Sequence, residues 1–314
     1  MGPPRHRGAR VHREGPDAGA EGRDRRCRPD DPHVPHGLSV GGAVDLHSHT
    51  TASDGTLTPR ELVRLAARHG VRVLAVTDHD STDGLPEAMD EARLHPPLTI
   101  VPGLEINCDV PGAEVHLLGY GVDWEAEWFQ GFLREQRAER RARVTRIAER
   151  LGELGMPIDP DEVLALVKEG SAGRPHVAQV MVKRGYVKSV REAFDKYLHA
   201  NGPASVPRRR LTPAEAVAII RRARGVPVLA HPGLAGRDAL IPELVEAGLM
   251  GIETYYPEHS AQQTVAYLEM CARLGLVATG GSDFHGPQIG RAQHPGFQAV
   301  PPSAWAELQS RLER

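Results

Sequence analysis

The chain has little of what would place it outside a reducing compartment. Its 314 residues include three cysteines, Cys27, Cys108 and Cys271, too few and too scattered for a disulfide framework or a paired-thiolate zinc site. No apolar run approaches the ~20 residues that span a bilayer, and no apolar segment near the start suits a secretory signal. A cytoplasmic protein with no membrane partner is expected. A surplus of one charge is lacking too. Lys and Arg number 38 against 41 Asp and Glu, a formal net charge of −3. Bulk charge therefore makes no case for a nucleic-acid or membrane-surface protein.

What is present falls into two compositions. Residues 1–40 are rich in Arg, Gly, Pro and Asp and nearly empty of large apolar side chains. Such a segment cannot bury enough surface to offset its ordering entropy, so a disordered tail is expected. From Ala43 onward, apolar β-branched runs alternate with helical segments. Strands are expected at Ala43–Leu46, Val71–Thr77, Leu98–Ile106, Glu114–Tyr120, Pro227–Ala230, Met250–Tyr255 and Val277–Thr279. Thr58-Pro59-Arg60-Glu61 and Thr212-Pro213-Ala214-Glu215 each combine an N-cap threonine, a first-turn proline and a capping-box glutamate. Buried strands alternating with helices imply a mainly parallel sheet, and this many units favour a closed or nearly closed α/β barrel.

Residues 122–205 break the rhythm. Trp128–Leu154 reads as a long Arg/Glu-rich amphipathic helix, with further helices at Asp159–Glu169, Pro175–Arg184 and Val190–Leu198. We expect an all-helical insertion there, capping a barrel built from 41–121 and 206–314.

Histidines and acids stand where the strands end. "VDLHSHTTASDG" supplies His47, His49 and Asp54 after the first strand, and "TDHD" supplies His79 after the second. Glu105 follows on the third and His116 on a hairpin-like fourth. His231 closes a later strand, and "GGSDFH" adds Asp283 and His285 after the last. In a parallel α/β barrel all strand C-termini open onto one face, where active sites sit. Taken singly, each residue has an ordinary explanation: a hydrogen-bonded core histidine, a turn-forming Asp54 before Gly55, a salt-bridged Glu105. Six imidazoles and three carboxylates converging on one face are hard to explain as packing. Mixed nitrogen and oxygen donors without thiolate suit Zn, Mn or Fe, and nine are enough for two or three ions.

The stretches "DLHSHTTASDGTLTP", "LAVTDHDSTDGL", "PGLEI", "VHLLGYGVD", "LAHPG" and "GGSDFHG" together resemble the PHP (polymerase and histidinol phosphatase) domain over roughly residues 43–290. They are most similar to its branch of 3′,5′-nucleoside bisphosphate phosphatases and 5′-to-3′ exoribonucleases. The resemblance implies a distorted (β/α)7 barrel with a trinuclear metal cluster at its mouth. His47, His49, Glu105 and Asp283 would hold one ion, Glu105 would bridge to a second held by His116 and His231, and Asp54, His79 and His285 would hold a third. Two or three divalent ions are implied, manganese foremost, with zinc and iron as alternatives. The resemblance also singles out "GRPH" in the insertion, whose Arg174 and His176 would bind substrate phosphate.

The activity implied is metal-dependent hydrolysis of a phosphate ester, on a 3′,5′-bisphosphorylated nucleoside or short 5′-phosphorylated RNA, with no stable protein partner. His259, in "YYPEHS", is a candidate proton donor to the leaving oxygen, with a water as its alternative. Tyr255 and Tyr256 are candidates to stack a base, or else to pack the insertion onto the barrel. Histidinol-phosphate phosphatase shares the metal motif and is the competing enzyme reading. A non-catalytic metal-binding partner module would need missing ligands, and a lysine-dependent amidohydrolase would need a lysine at a strand end.

Overall fold

The computed structural model describes residues 1–2, 43–167, 170–199, 201–206 and 211–313. The tail expected to be disordered lies outside the described residues, save for its first two. Seven strands form one sheet in sequence order: β1 (Ala43–Asp45), β2 (Val71–Val76), β3 (Thr99–Val110), β4 (Ala113–Tyr120), β5 (Val226–Leu229), β6 (Gly251–Tyr255) and β7 (Val277–Gly280). The first three pair in parallel, as do the last three. Beyond the strand ends Leu46 N–H donates to Gly280 O at 3.1 Å and His49 N–H to Phe284 O at 2.9 Å, which brings β1 back to β7 and closes the ring.

The sheet departs from the expected parallel pattern at β4. Only Pro111 and Gly112 separate β3 from β4, too short for a parallel crossover, so β4 runs antiparallel to both neighbours. Gly112 takes φ +76°, as such a turn requires. Running backwards, β4 carries His116 near its start, opposite Asn107 of β3. That residue therefore still reaches the mouth where the parallel strands end.

Helices pack around the ring. Helix α1 (Pro59–Arg68) begins where Thr58 accepts from Glu61 N–H and Glu61 reaches back to the Thr58 N–H, a box worth about 1 kcal/mol by comparison with other N-caps. It buries Leu62, Val63 and Ala66 with α2 (Leu85–Ala92) against Leu74 and Val76, each fully buried leucine contributing roughly 1.5–3 kcal/mol. The interior of the ring is a separate apolar cluster that includes Val44, Leu46, Ala75, Leu118, Val228 and Val277.

Between β4 and β5 lies the helical segment. It comprises α3 (Glu127–Glu153), α4 (Pro160–Leu164), α5 (Arg174–Lys183), and α6 (Val190–Ala193), which widens into a π turn over Phe194–Leu198. Helix α4 is shorter than the expected Asp159–Glu169. Phe129 and Leu133 of α3 pack on the outer face of the barrel, whereas Val144, Ile147 and Leu151 join a core of the insertion's own. One helix thus belongs to both layers. The chain returns through α7 (Pro213–Arg222), capped by Thr212 and Glu215. After β5 come α8 (Pro232–Ala235) and α9 (Ile241–Glu246), and after β6 comes α10 (Ala261–Leu274). Helix α11 (Pro302–Leu312) ends the fold, with Ala304 and Leu308 against the interior cluster.

Candidate active site

Two buried carboxylates tie the ligand-bearing loops together. Asp45 accepts from Ser282 N–H at 2.8 Å, Ser282 Oγ at 2.6 Å and Gly296 N–H at 2.7 Å, fastening the end of β1 to the loop after β7. Asp78 accepts from Thr50 N–H and Thr50 Oγ1, both at 2.7 Å, and from Ser53 Oγ at 2.6 Å, fastening the loop after β1 to the end of β2. The fit is close. A Cβ on Gly281 would lie 2.5 Å from the Cβ of His47. Asp80, His231 and Asp283 all adopt positive φ, a costly backbone state that clusters at functional sites.

The nine singled-out residues meet at the mouth. Glu105, fully buried, is the hub. Its Oε1 lies 2.8 Å from His116 Nδ1 and 3.0 Å from His231 Nε2, and its Oε2 lies 3.0 Å from His79 Nδ1, 3.3 Å from His49 Nε2 and 3.4 Å from His47 Nε2. Asp283 Oδ1 sits 3.2 Å from His49 Nε2 and 3.3 Å from His47 Nε2. Asp54 reaches His285 at 3.3 Å and His79 at 3.7 Å. Donor atoms within 4.8 Å of one another form four overlapping groups: His49, Asp54, His79 and His285; His47, His49 and Asp283; His47, Glu105 and His231; and His79, Glu105 and His116.

The electrostatics favour cations. Among the described residues six buried side-chain polar atoms lack a hydrogen-bond partner, and three of them are His79 Nδ1, Glu105 Oε2 and Asp283 Oδ1. Buried polar groups are ordinarily satisfied, so lone pairs turned on one another across a small gap fit a set of ligands that share ions. Burial alone would raise the carboxylates, yet the surrounding imidazoles outweigh it. His79, His116 and His47 hold Glu105 well below the usual range, and Asp54 and Asp283 are held low in the same way. Conversely, burial would lower His116 and His285, but Glu105 lifts the first to about 9 and Asp54 with Asp283 lifts the second to about 10.

A cavity of about 360 Å³ opens above, with seven of the nine on its barrel side and Arg140, Arg143 and Arg174 on its insertion side. Glu114 pairs with Arg143 at 3.1 Å and also with Arg174. Arg140, buried in α3, donates from Nε to Asp80 at 2.5 Å and bonds Asn107, which in turn lies 2.6 Å from His116 Nε2.

The remaining sequence expectations distribute differently. Arg174 lines the cavity. His176 does not; it is buried beneath, with Nδ1 accepting from Gly173 N–H at 3.2 Å. Both ring nitrogens of His259 are engaged: Nδ1 with Thr254 O at 3.0 Å and Nε2 accepting from Gly233 N–H at 3.2 Å. It therefore holds the α8 turn beside His231 and presents no proton to the cavity. Tyr256 donates to Asp283 Oδ2 at 3.0 Å and is buried, with no open face for a base. A bulge between Glu253 and Tyr255 re-aims the strand, and Tyr255 packs on the interior cluster. Sequence reasoning missed Glu253, Asp45, Asp78, Asn107, Arg140 and Arg143. A lone glutamate inside the apolar β6 was the available signal for Glu253; Arg140 and Arg143 are hidden among the many charges of α3.

Comparison with known proteins agrees with this geometry. Residues 45–204 match the PHP domain. The chain is 34% identical over 249 residues to the 5′-3′ exoribonuclease Rnm of Salmonella typhimurium, covering 77% of this chain and 85% of that protein. It is 34% identical to the phosphoribosyl 1,2-cyclic phosphate 1,2-diphosphodiesterase of Eggerthella lenta, covering 81% and 98%. With the 3′,5′-nucleoside bisphosphate phosphatase of Chromobacterium violaceum it shares 33% identity, covering 86% and 98%. A metal-dependent phosphoesterase of Bifidobacterium adolescentis superposes with a TM-score of 0.78 at 32% identity, over 87% of this chain and 97% of that one. With its hub glutamate, its ring of histidines and this kinship, the chain belongs to the PHP domain family of metal-dependent phosphoesterases.

Proposed function

We propose that the chain hydrolyses phosphate esters of nucleotides, either a 3′,5′-bisphosphorylated nucleoside or the 5′ end of a short RNA. The observation that carries this is the cavity itself, an ion-ligand floor facing a wall of arginines. His47, His49, Glu105 and Asp283 would hold one divalent ion, Glu105, His116 and His231 a second, and Asp54, His79 and His285 a third. Manganese suits this nitrogen and oxygen donor set. When bound, such ions supply a water acidified towards neutral pH and positive charge against the phosphoryl oxygens.

The chain's own side chains do the rest. Arg143 and Arg174, held side by side by Glu114, present guanidinium groups that match phosphate bidentately. His176 fixes the turn from which Arg174 emerges. Tyr256 occupies Asp283 Oδ2 and leaves Oδ1 for the cluster. His259 steadies the loop that carries His231. The buried thiols of Cys108 and Cys271 suit a reducing, cytoplasmic setting.

The test is hydrolysis with added manganese, read as phosphate released from the monoesters, mononucleotide released from the RNA and ring opening of the cyclic ester. The substrates are adenosine 3′,5′-bisphosphate, a 5′-phosphorylated RNA pentamer, histidinol phosphate and phosphoribosyl 1,2-cyclic phosphate. Turnover of either of the first two, abolished by chelator, is expected. Release confined to histidinol phosphate would replace this reading. Turnover of the cyclic ester alone would favour the second reading, a cyclic phosphodiesterase like the Eggerthella relative.

A further inference from the structure

We infer that the cavity contains a subsite for a planar nucleobase, with Phe194 as its stacking surface, which rests on the nucleotide reading above and deepens it by naming the residue that takes the base. Among the described residues Phe194 is the one carbocyclic aromatic ring lining the cavity. The two tyrosines near the mouth do not compete for this part, since Tyr256 is committed to Asp283 and Tyr255 to the barrel interior.

The ring is placed by a backbone irregularity. Helix α6 widens into the π turn at Phe194, whose carbonyl accepts from His199 N–H five residues on at 3.1 Å. Single π turns recur at functional sites, because the extra residue re-aims a side chain. The ring is then pinned. The Arg174 guanidinium carbon stands 5.5 Å from its centroid, and Arg174 also donates to Leu198 O at 3.0 Å, at the far end of the same turn. One arginine thus braces the aromatic ring while facing the phosphate region.

Aliphatic side chains also line the cavity. Val144 and Ile147 line it from α3, and Leu234, 53% exposed, lines it from α8. A large apolar side chain left open at a cavity that also presents an aromatic ring suits a ligand with a flat apolar part. The ionic floor and the arginines take phosphate; the apolar lining has no comparable use for a bare sugar phosphate.

Calorimetric titration of the manganese-loaded full chain with adenosine 5′-monophosphate and with ribose 5-phosphate tests the subsite independently of turnover. The nucleotide should bind at least about tenfold more tightly, ~1.4 kcal/mol. Phe194→Leu, which keeps apolar volume, should bring that ratio close to one, and Phe194→Tyr should preserve it. A wild-type ratio near one, a ratio unchanged in Phe194→Leu, or no detectable binding of either at millimolar concentration would overturn the inference. If the nucleotide preference is present and no ester in the panel above is hydrolysed, the subsite stands and the phosphoesterase reading falls.

Discussion

Glu253 holds His47 by both carboxylate oxygens, at 3.0 and 3.2 Å from Nδ1, while the same carboxylate accepts the backbone N–H of His231 at 2.9 Å. Strand β6 supplies none of the nine converging donors, yet through this one fully buried side chain it orients two of them. A carboxylate on one ring nitrogen fixes the tautomer and frees the other nitrogen to ligate. Glu253→Ala should lower metal affinity by about 10–100-fold, read by elemental analysis after dialysis against graded chelator. Full retention of metal by a folded variant would contradict the role.

Arg174 stands at the cavity wall, bonded to Glu114 and Leu198 O rather than to an ion ligand. Arg174→Ala should therefore cut kcat/KM by roughly 10²–10³, as loss of a preorganised donor does, while metal content stays normal. A variant that loses metal in parallel with activity would mean that Arg174 acts by supporting the fold.

Stripped of metal, the cluster should show its own pH dependence. His116, at about 9, and His285, at about 10, bind protons more tightly folded than the ordinary 6.5 of an unfolded imidazole. Their contribution to stability is complete below pH 6.5 and is lost as pH rises through those values. His79 is held well below 6.5, chiefly by burial, so it opposes this trend only near pH 6.5 and is neutral in both states through the rest of the window. Melting temperature in chelator should fall between pH 6.5 and 10. With manganese, which takes neutral imidazoles, the fall should shrink or vanish. A flat profile in chelator would count against the ion pairs.

Gly281 has no room for a side chain. An alanine Cβ there would press on His47, and overpacking of this kind costs about 1–3 kcal/mol. Gly281→Ala should unfold at lower temperature and retain less metal than the wild type. An unchanged melting temperature would show that the β1 and β7 loops have slack.

Most of the nine donors were legible because they follow or end an apolar run, and a barrel sends such positions to one mouth; His116 reaches it from near the start of the reversed β4. Thr58 and Thr212 were legible as helix starts because capping is local. Residues that act across the fold were not. Arg140 reaches Asp80 and Asn107 from sixty and thirty-three residues away, and its helix offers many arginines of equal promise. His259 looked free because its partners, Thr254 O and Gly233 N–H, are backbone groups that no side-chain pattern reveals. Tyr255 and Tyr256 point apart as successive residues on extended backbone do, and the register shift after Glu253 that sets which of them faces the interior is not announced by local composition.

The reversed direction of β4 sets a distance elsewhere. Because that strand ends at Tyr120, opposite Val226 at the start of β5, the chain leaves the barrel at the end away from the mouth. Helix α3 must then climb the outer wall before it can contribute to the roof. From its first turn to Arg140 and Arg143 it rises about 20 Å at ~1.5 Å per residue. It works as a ruler: adding or removing one turn below Arg140 would shift both guanidinium groups by about 5.4 Å relative to the ion ligands. The gap between them, and hence the length of phosphate ester the cavity accepts, is written in the number of residues in a helix that touches no substrate along its lower half.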